Sequence, residues 1–422
     1  MSASFTTVAI VGQGYVGLPV AMRAIDAGYD VTGIDLDERR TGSLLAGTSY
    51  VDDVTDEQLQ AALASGRYHP TTDYADAAGF DVAVITVPTP LREGLPDLTF
   101  IEESSASLAA LLKPGATVIL ESTTYPGTTE ELLVPALESG SGLVAGTDFF
   151  VGYSPERIDP GNPVWGFVNT PKVVSGIDEK SLERVDAFYS ALVDTTVRVS
   201  TPKEAELTKL LENTFRHVNV ALVNELAIFG HQLGVNVWEA IDAAATKPFG
   251  FMKFTPGPGV GGHCLPVDPS YLSWQVRRKL GQNFRFVELA NDINDHMPEY
   301  VVQRLMVILN KQGRAVNGSR VLLVGLSYKK NTGDIRESPS LRVIDLLQEY
   351  GATVVGVDNH VEEYRWPSGV ERESLTAEAL DAADIAVLIT DHDDLDLDLL
   401  RSSRTPVLDT KNRVSGALVE RL

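Results

Sequence analysis

The chain has 422 residues, 44% hydrophobic and 22% charged, which is the composition of a globular protein with two or three domains. Its net charge of −23 argues against a nucleic-acid-binding surface, and its single cysteine excludes an intramolecular disulfide and fits a reducing compartment. The first residues lack the basic region of a signal peptide, and no stretch approaches the ~18 apolar residues of a membrane span, so we expect a soluble cytoplasmic protein.

The first predicted elements are a strand, a glycine-rich turn, a helix and a second strand, in VAIVGQGYVGLPVAMRAIDAGYDVTGIDLD. Gly12, Gly14 and Gly17 form G-x-G-x-x-G after the first strand, and Asp35 ends the second about 20 residues later. Such a turn lets the backbone approach a pyrophosphate at a helix N-terminus, while the acid binds the ribose. We therefore predict a dinucleotide site, and the acid favours NAD over NADP. A glycine-rich turn without a ligand is the alternative.

Further α/β elements follow, and the strands in DVAVITVPTP and GATVILESTTYPGTT end in loops of the kind in which open sheets bind ligands. The residues that we expect to contact the cofactor are therefore Gly12, Gly14, Tyr15, Val16, Gly17, Asp35, Arg40, Thr89 and Thr123.

The C-terminal part of the chain repeats the layout of the N-terminal part. VLLVGLSYKK (321–330) and ATVVGVDNH (352–360) correspond to the first two strands, and DIAVLITD (384–391) corresponds to DVAVITVP. The second copy lacks the full glycine pattern, so we do not expect it to bind a second dinucleotide. The predicted fold class is α/β, with two Rossmann-like, doubly wound parallel-sheet domains joined by a long central helix.

A long helix is predicted between the two copies. TPKE is a capping box with Thr201 at the N-cap and Glu204 at N3, and nothing breaks the helix before Gly234. Its ~45–50 Å length makes it a plausible spine for a homodimer. The predicted domains are a cofactor-binding domain at 1–200, a helical dimerisation domain at 201–308 and a second Rossmann-like domain at 309–422.

The only cysteine, Cys264, follows a run of glycines in PGPGVGGHCLPVD, with His263 and Asp268 beside it. A lone cysteine is usually a small buried hydrophobic residue, but so many glycines are atypical of a core element. A metal site is disfavoured because the ligand spacing of zinc sites is missing. On the long helix, Lys209 and Asn213 lie four residues apart and so share a face.

Together, NAD, a thiol, a lysine and a carboxylate suit the oxidation of an alcohol to an acid. NAD takes a hydride from the alcohol, the thiolate traps the aldehyde as a thiohemiacetal, and a second NAD oxidises this adduct to a thioester that water hydrolyses. One cysteine suffices because it keeps the intermediate bound between the two oxidations.

Six ordered motifs closely resemble the UDP-glucose/GDP-mannose dehydrogenase family over nearly the whole chain. They are VAIVGQGYVGLP, ESTTYPGTT, SPERIDPGN, ELTKLLENTFRHVNVALVNEL, PGPGVGGHCLPVDP and YKKNTGDIRESPS. The resemblance implies two Rossmann-like domains, a dimerisation helix and the NAD-dependent oxidation of a sugar C6 alcohol to a carboxylate in two steps.

The resemblance also implies roles for individual residues. Cys264 is expected to be the thioester nucleophile, Lys209 and Asn213 to stabilise the oxyanion at C6, Asp268 to position the lysine and the hydrolytic water, and Thr123 to hold a catalytic water.

The other residues that the resemblance assigns bind the substrate or the cofactor. The expected substrate contacts are Glu156 and Arg157 in YSPERI, Lys209, Asn213, Gly259 and Gly261 in the 255–261 loop, Lys329, and Lys411, which stands where the family often has arginine. Arg336 is expected to contact the cofactor. These cations would supply the local positive charge that an acidic protein needs to hold a pyrophosphate.

The chain departs from the family pattern at the substrate loop. UDP-glucose dehydrogenases usually read PEFLxEG, with a second glutamate that takes part in catalysis. In PERIDPGN, Asp159 and Pro160 stand around the position of that glutamate, which leaves the acid/base role to Glu156, Asp159, or water and Thr123. The motifs look like those of the branch that acts on UDP-N-acetylhexosamines, with UDP-N-acetylglucosamine favoured over UDP-N-acetylmannosamine and UDP-glucose. An epimerase that retains NAD and a binding protein on a retired dehydrogenase scaffold are the alternatives.

Overall fold

The computed structural model describes residues 5–51, 53–92, 95–158, 162, 164–262 and 264–422. Asp159, Pro160 and His263 lie outside these residues, so the acid/base role considered for Asp159 is not tested. The chain forms two compact units, Met1–Glu212 with Arg278–Leu280, and Asn213–Arg277 with Gly281–Leu422. A single long helix joins them, and the division into three domains remains a prediction.

A mostly parallel sheet is the centre of the first unit. Its strands are β1 (Thr7–Val11), β2 (Asp30–Ile34), β3 (Tyr68–Thr71), β4 (Val82–Ile85), β7 (Thr117–Leu120), β8 (Phe150–Tyr153), β9 (Lys172–Gly176) and β10 (Thr196–Arg198), and the short strands β5 (Leu91–Arg92) and β6 (Leu95–Pro96) pair separately. Among the described residues the order is β10-β9-β8-β7-β4-β1-β2-β3, and only β8 and β9 pair antiparallel. The sheet reverses its winding between β1 and β4, where Rossmann folds bind ligands.

Helices cover both faces of this sheet. They are α1 (Gly17–Asp26), α2 (Glu38–Leu45), α3 (Asp56–Ala64), α4 (Thr99–Ala109), α5 (Val134–Ser141) and α6 (Glu179–Ser190). Alternate side chains of β1 enter different apolar clusters, Val8 and Ile10 on one face and Ala9 and Val11 on the other. This is why the strand has an unbroken apolar run, because both of its faces are buried.

The second unit repeats the arrangement. Its strands are β11 (Arg320–Val324), β12 (Thr353–Val357), β13 (Glu371–Arg372), β14 (Ile385–Leu388), β15 (Val407–Asp409) and β16 (Val419–Arg421), in the order β13-β12-β11-β14-β15-β16 within the described residues. All of their pairings are parallel. Val321 and Leu323 enter one core cluster and Leu322 and Val324 the other, so the predicted repeat of the first sheet is confirmed.

The joining helix is α7 (Pro202–Leu233), and its 32 residues match the long helix predicted from the sequence. The remaining helices are α8 (Val237–Ala245), α9 (Cys264–Leu280), α10 (Arg285–Asp295), α11 (Met297–Lys311), α12 (Pro339–Glu349), α13 (Ala377–Ala382) and α14 (Leu397–Ser402). Across the described residues, every helix is too short or too polar to cross a lipid bilayer. The predicted fold class is confirmed: two parallel sheets joined by a long helix.

Candidate active site

The glycine turn after β1 leaves space for a ligand at one of its positions. Gly12 has φ +91°, and a Cβ there would lie 2.7 Å from the carbonyl oxygen of Thr86. A Cβ on Gly17 would overlap the carbonyl oxygen of Gly12, so these two glycines serve the fold. A Cβ on Gly14, in contrast, would meet no protein atom within 4 Å. Gly14 is therefore the position at which the absence of a side chain admits a ligand.

Asp35 lies beside the glycine turn, as the spacing predicts. Its Oδ2 accepts the backbone N–H of Gln13 at 3.0 Å and faces an Arg40 guanidinium nitrogen at 3.3 Å. The residue is only 8% exposed, so its carboxylate is held in place at the end of β2. Val16 forms the N-cap of α1 without a side-chain hydrogen bond, and Tyr15 before it is exposed. The turn, the helix start and the acid together fit a dinucleotide.

Two further predicted cofactor contacts, Thr89 and Thr123, lie in the loops after neighbouring strands. Thr86 directly follows β4, and its hydroxyl donates to the carbonyl oxygens of Val11 and Gly12 at 2.8 Å each, which joins the two strand ends at the winding reversal. Thr89 is buried in the same loop. Thr123 follows β7 and is half-buried, and its hydroxyl has no hydrogen bond to the described residues. Thr123 is therefore available to a ligand or a water.

Glu206 on α7 anchors the loop that follows Thr123. Its carboxylate accepts the backbone N–H of Gly127 at 2.5 Å and that of Thr129 at 2.9 Å, together with the Thr129 hydroxyl. Burial raises the pKa of Glu206 to about 7, although these three donors act in the opposite direction. The start of the long helix is thus fixed to the loop that carries Thr123.

The predicted substrate loop after β8 is held by internal ion pairs. One oxygen of Glu156 accepts the N–H groups of Arg157 and Ile158 at 2.8 and 2.6 Å, and the other faces the ammonium of Lys172 at 3.1 Å. Arg157 pairs with Glu212 at 2.6 Å and also donates to the carbonyl of Pro171. Both side chains predicted to contact substrate are therefore engaged within the unit.

Lys209 is a buried cation with no counter-ion among the residues that the structure describes. It is 7% exposed on α7, and no ion pair or hydrogen bond joins its side chain to any residue that the structure describes. A lysine is rarely buried without a partner, because removing its charge from water is costly. Lys209 is therefore placed for an anionic or polar ligand.

Asn213, one turn after Lys209, contacts the helix that begins at Cys264. Its Nδ2 donates to Oδ2 of Asp268 at 2.6 Å, and Asp268 is fully buried. Asp268 is one turn from Cys264, the first residue of α9. The second unit thus brings together the ends of two predicted motifs, ENTF on α7 and GGHCLPVD on α9.

The glycine-rich loop before α9 packs against the segment that follows β11. Gly257 donates its N–H to Asn224 of α7 at 2.9 Å, and Gly262 donates to the carbonyl of Arg336 at 3.1 Å. A Cβ on Gly261 would lie 2.6 Å from Cβ of Tyr328, and one on Gly259, which has φ +137°, would lie 3.2 Å from Pro339. The glycines of this loop permit close packing between the two segments.

Of the three predicted cations, Lys411 lies beside this loop, and Lys329 and Arg336 belong to the segment that follows β11. Lys411 has its Nζ 3.7 Å from the position that a Cβ on Gly257 would occupy, and no ion pair joins it to the described residues. Burial lowers the pKa of Lys411, although Asp391 and Asp409 oppose the change. Lys329 lies in the segment after β11, and Arg336 at its end is paired with Asp334 at 2.6 Å. Among the described residues, neither Lys411 nor Lys209 forms an ion pair.

A histidine fixes the segment that contains Lys329. His392 accepts the backbone N–H of Asn331 on Nδ1 at 2.9 Å, and its Nε2 faces Asp358 at 3.0 Å. Asp358 stands where the first sheet has Asp35 and accepts the N–H of Ser327 at 3.0 Å. Both ring nitrogens of His392 are therefore occupied, so its closeness to His360 and Asp394 is explained without a metal ion.

The motifs did not indicate two buried polar groups beside the site. Glu206 and the Glu121–Lys172 pair were not singled out, and both turn out to fix loops that contain predicted site residues. A signal was present for Glu121, since it is an acid directly after the apolar run of β7. The pairing of Glu121 with Lys172 could not be predicted, because the sequence does not tell which strand brings a cation next to Glu121.

Three parts of the chain match the three domain models of one protein family. Residues 6–193 match the NAD binding domain of the UDP-glucose/GDP-mannose dehydrogenase family, residues 203–296 its central domain, and residues 322–416 its UDP binding domain.

Two relatives and one solved structure align with most of this chain. A UDP-N-acetyl-D-glucosamine 6-dehydrogenase of Pseudomonas aeruginosa is 38% identical over 375 residues, 84% of this chain and 87% of that protein. A UDP-N-acetyl-D-mannosamine dehydrogenase of Pyrococcus horikoshii is 35% identical over 386 residues, 91% of this chain and 89% of that protein. The solved structure of a UDP-D-ManNAc dehydrogenase from Pyrococcus horikoshii superposes with a TM-score of 0.90 at 33% identity, covering 99% of both chains.

Proposed function

The chain belongs to the UDP-glucose/GDP-mannose dehydrogenase family and is an NAD-dependent nucleotide-sugar dehydrogenase, and we propose that it oxidises the C6 alcohol of a UDP-N-acetylhexosamine to the uronic acid. The observation that carries the proposal is the hydrogen bond from Asn213 to Asp268, on the helix that starts at Cys264. It joins two of the three motifs to which the chemistry is assigned.

Cys264 is the nucleophile in this scheme. A helix N-terminus favours the thiolate over the thiol, and position 264 is the first residue of α9. The thiolate adds to the C6 aldehyde and forms a thiohemiacetal, whose oxidation gives a thioester. Water then releases the carboxylate and regenerates the thiol. Bound NAD would accept one hydride in each oxidation, so one sugar consumes two NAD and one water.

Lys209, Asn213 and Asp268 support these steps. The ammonium of Lys209, which pairs with none of the described residues, and the amide of Asn213 lie one turn apart on α7 and are the donors for the oxyanion that develops at C6. Asp268 holds the Asn213 amide and is a candidate for orienting the hydrolytic water, as is Thr123. Glu156 is the candidate acid/base in the substrate loop.

The cofactor and the nucleotide are assigned separate contacts. Gly14, Asp35 and the start of α1 would hold NAD, with Arg40, which pairs with Asp35, and the buried Thr89 as further proposed contacts. On the second unit, Lys411, which forms no ion pair with the described residues, supplies a cation beside the 255–261 loop, which suits the pyrophosphate of a UDP-sugar. Lys329 and Arg336 are the further contacts proposed in the neighbouring segment, for the substrate and the cofactor respectively.

UDP-N-acetylglucosamine is the favoured substrate. The motifs ESTTYPGTTEE and SPERIDPGN support an N-acetylhexosamine, and relatives named for both UDP-N-acetylglucosamine and UDP-N-acetylmannosamine are about equally similar to this chain. UDP-N-acetylmannosamine is the alternative.

The test is NADH release from a panel of UDP-GlcNAc, UDP-ManNAc, UDP-GalNAc and UDP-glucose. We expect two NADH per uronate and the highest kcat/KM for UDP-GlcNAc. A higher kcat/KM for UDP-ManNAc would replace the favoured substrate. Conversion of a sugar without net NADH would overturn the oxidation and favour an epimerase.

We also propose a homodimer formed through α7. One stripe of this helix exposes large apolar side chains to solvent, namely Leu207, Leu211, Phe215, Leu222, Leu226, Phe229 and Leu233. Their spacing of three, four and seven residues keeps them on one side of the helix. An apolar stripe of this length is typical of an interface, and a second copy of α7 supplies the same surface.

A further inference from the structure

A buried lysine in the first unit is held between two glutamates. Lys172 is 4% exposed, and its ammonium pairs with Glu121 and, at 3.1 Å, with Glu156. The second oxygen of Glu121 accepts the hydroxyl of Tyr189 at 2.7 Å. The Phe167 and Tyr189 rings lie 5.4 and 5.2 Å from the ammonium. We call Glu121, Lys172, Glu156 and Tyr189 the Lys172 cluster.

The cluster joins three segments near residues to which the chemistry is assigned. Glu121 directly follows β7, two residues before Thr123, and Lys172 is the first residue of β9. Glu156 lies in the loop after β8, and its other oxygen accepts the N–H groups of Arg157 and Ile158. All of the cluster's members belong to the first unit, so its geometry is internal to one compact body.

A buried ion cluster of this kind adds little to stability by itself. Removing three charges from water costs about as much as their attraction returns, and apolar residues of similar size often stabilise a core better. What the cluster does supply is a fixed orientation of the Glu156 carboxylate. Because Lys172 is anchored on a strand and Glu156 hydrogen bonds the two residues after it, the ammonium fixes the backbone from 156 to 158.

We propose that Lys172 and Glu121 are positioning residues that act through Glu156 and hold its segment in the conformation that binds the nucleotide sugar. The proposal rests on the proposed function, because it takes the segment to be the substrate loop. It assigns a role to two residues that touch neither substrate nor cofactor in the scheme above.

The pKa values of the two acids in the cluster are shifted in opposite directions. Burial raises the pKa of Glu121 to about 7, against the attraction of Lys172 and with a further increase from Glu156. Burial also opposes ionisation of Glu156, but the charge of Lys172 and its hydrogen bonds outweigh this, so the pKa of Glu156 is lowered. The charges of both glutamates raise the pKa of Lys172 despite its burial. Without the ammonium, the two acids would repel each other wherever both are ionised.

The test is Lys172→Met, with Lys113→Met as the matched control. Lys113 pairs with Asp81 at 2.8 Å in the same unit but is 41% exposed. In Lys172→Met we expect the KM for the nucleotide sugar to rise about tenfold at pH 9 and less at pH 6, because one acid keeps its proton at low pH. The KM for NAD is expected to stay unchanged, and Lys113→Met should behave as wild type.

Two further variants separate positioning from general damage. The double variant Lys172→Met/Glu121→Gln removes the repulsion and is expected to bring the KM at pH 9 from the raised value of Lys172→Met back towards that of wild type. Lys172→Arg keeps a cation in the cluster and is expected to keep the wild-type KM. A rise in KM that is equal at all pH values and not relieved by Glu121→Gln would overturn the proposal. If Lys172→Met does not fold, Glu121→Gln alone is decisive, since it removes the charge that holds the ammonium at the end of β7 and should raise the KM for the nucleotide sugar and the hydrogen–deuterium exchange at 156–158, while leaving the KM for NAD unchanged. An unchanged KM and unchanged exchange in this variant would also overturn the proposal.

Hydrogen–deuterium exchange tests the cluster without using activity. Lys172→Met should increase exchange at 156–158 and leave 8–17 of the glycine turn unchanged. If wild type oxidises no sugar of the panel, the proposed function has failed, while the exchange result still decides whether the cluster fixes this segment. If wild type is active but KM and exchange do not change in Lys172→Met, the positioning role alone has failed.

Discussion

Asn213 donates a hydrogen bond of 2.6 Å to the buried carboxylate of Asp268, and this contact joins the long helix to the helix that starts at Cys264. Asn213→Ala is expected to lower kcat by about 10²–10³-fold, because it removes a proposed oxyanion donor. The free energy of unfolding should fall by about 1–3 kcal/mol, since Asp268 stays buried without this donor.

Thr214 supplies the control for this prediction. It is the next residue on α7, and its buried hydroxyl has no hydrogen-bond partner among the described residues. Thr214→Val should therefore keep wild-type activity and equal or higher stability, measured by steady-state assay and urea unfolding. Equal activity of Asn213→Ala and wild type would contradict the assigned role.

Cys264→Ser should abolish turnover, because a serine hydroxyl is a far weaker nucleophile than a thiolate at neutral pH. The chain has one cysteine, so alkylation by iodoacetamide reports on this position alone. We expect the nucleotide sugar to slow alkylation and the labelled protein to be inactive. Full activity of Cys264→Ser would eliminate the thioester scheme.

Gly14 and Gly17 are expected to respond differently to the same substitution. Gly14→Ala adds a methyl group where no protein atom lies within 4 Å, so we expect wild-type stability but an NAD Kd at least tenfold higher. Gly17→Ala would overlap the Gly12 carbonyl, so stability itself should fall by about 2–4 kcal/mol. Thermal unfolding and NAD titration separate the two effects. Unchanged NAD affinity in Gly14→Ala would show that the ligand lies elsewhere.

Glu206 is expected to make stability depend on pH. Its pKa is raised to about 7 in the fold, above the unfolded value near 4.5, so the native state binds the additional proton and its stability falls as the pH rises between these values. Glu206→Gln does not titrate and should remove up to about 3 kcal/mol of this dependence. Urea unfolding from pH 4.5 to 8 measures it, with the exposed Glu204→Gln as control. Parallel pH curves for wild type and Glu206→Gln would refute the assignment.

The exposed stripe of α7 predicts which substitutions dissociate the proposed dimer. Leu226→Asp/Phe229→Asp places two charges in the stripe and should give a monomer by sedimentation velocity, because a buried unpaired charge is costly. Tyr364→Asp, at another exposed aromatic residue, should leave the dimer intact. A wild-type protein that sediments as a monomer would exclude this interface.

The sequence alone determined the fold class, the glycine turn with Asp35, the span of the long helix and the repeat of the first sheet in the second. These features depend on local rules: apolar runs of a given length, glycines where backbone must approach, and a helix that runs uninterrupted between its cap and the next glycine. Helix spacing placed Lys209 and Asn213 on one face, and the resemblance to a known family assigned the roles of Lys209, Asn213 and Asp268.

Only the tertiary structure decided which buried polar groups meet. Lys172 lies between Glu121 and Glu156, and Glu206 binds the loop after Thr123, through contacts between residues tens of positions apart in the sequence. Lys209, in contrast, has no counter-ion among the described residues. No local pattern encodes them, because a charge in the core is tolerated or costly according to what the fold brings beside it, and that partner is set by strand order and helix packing.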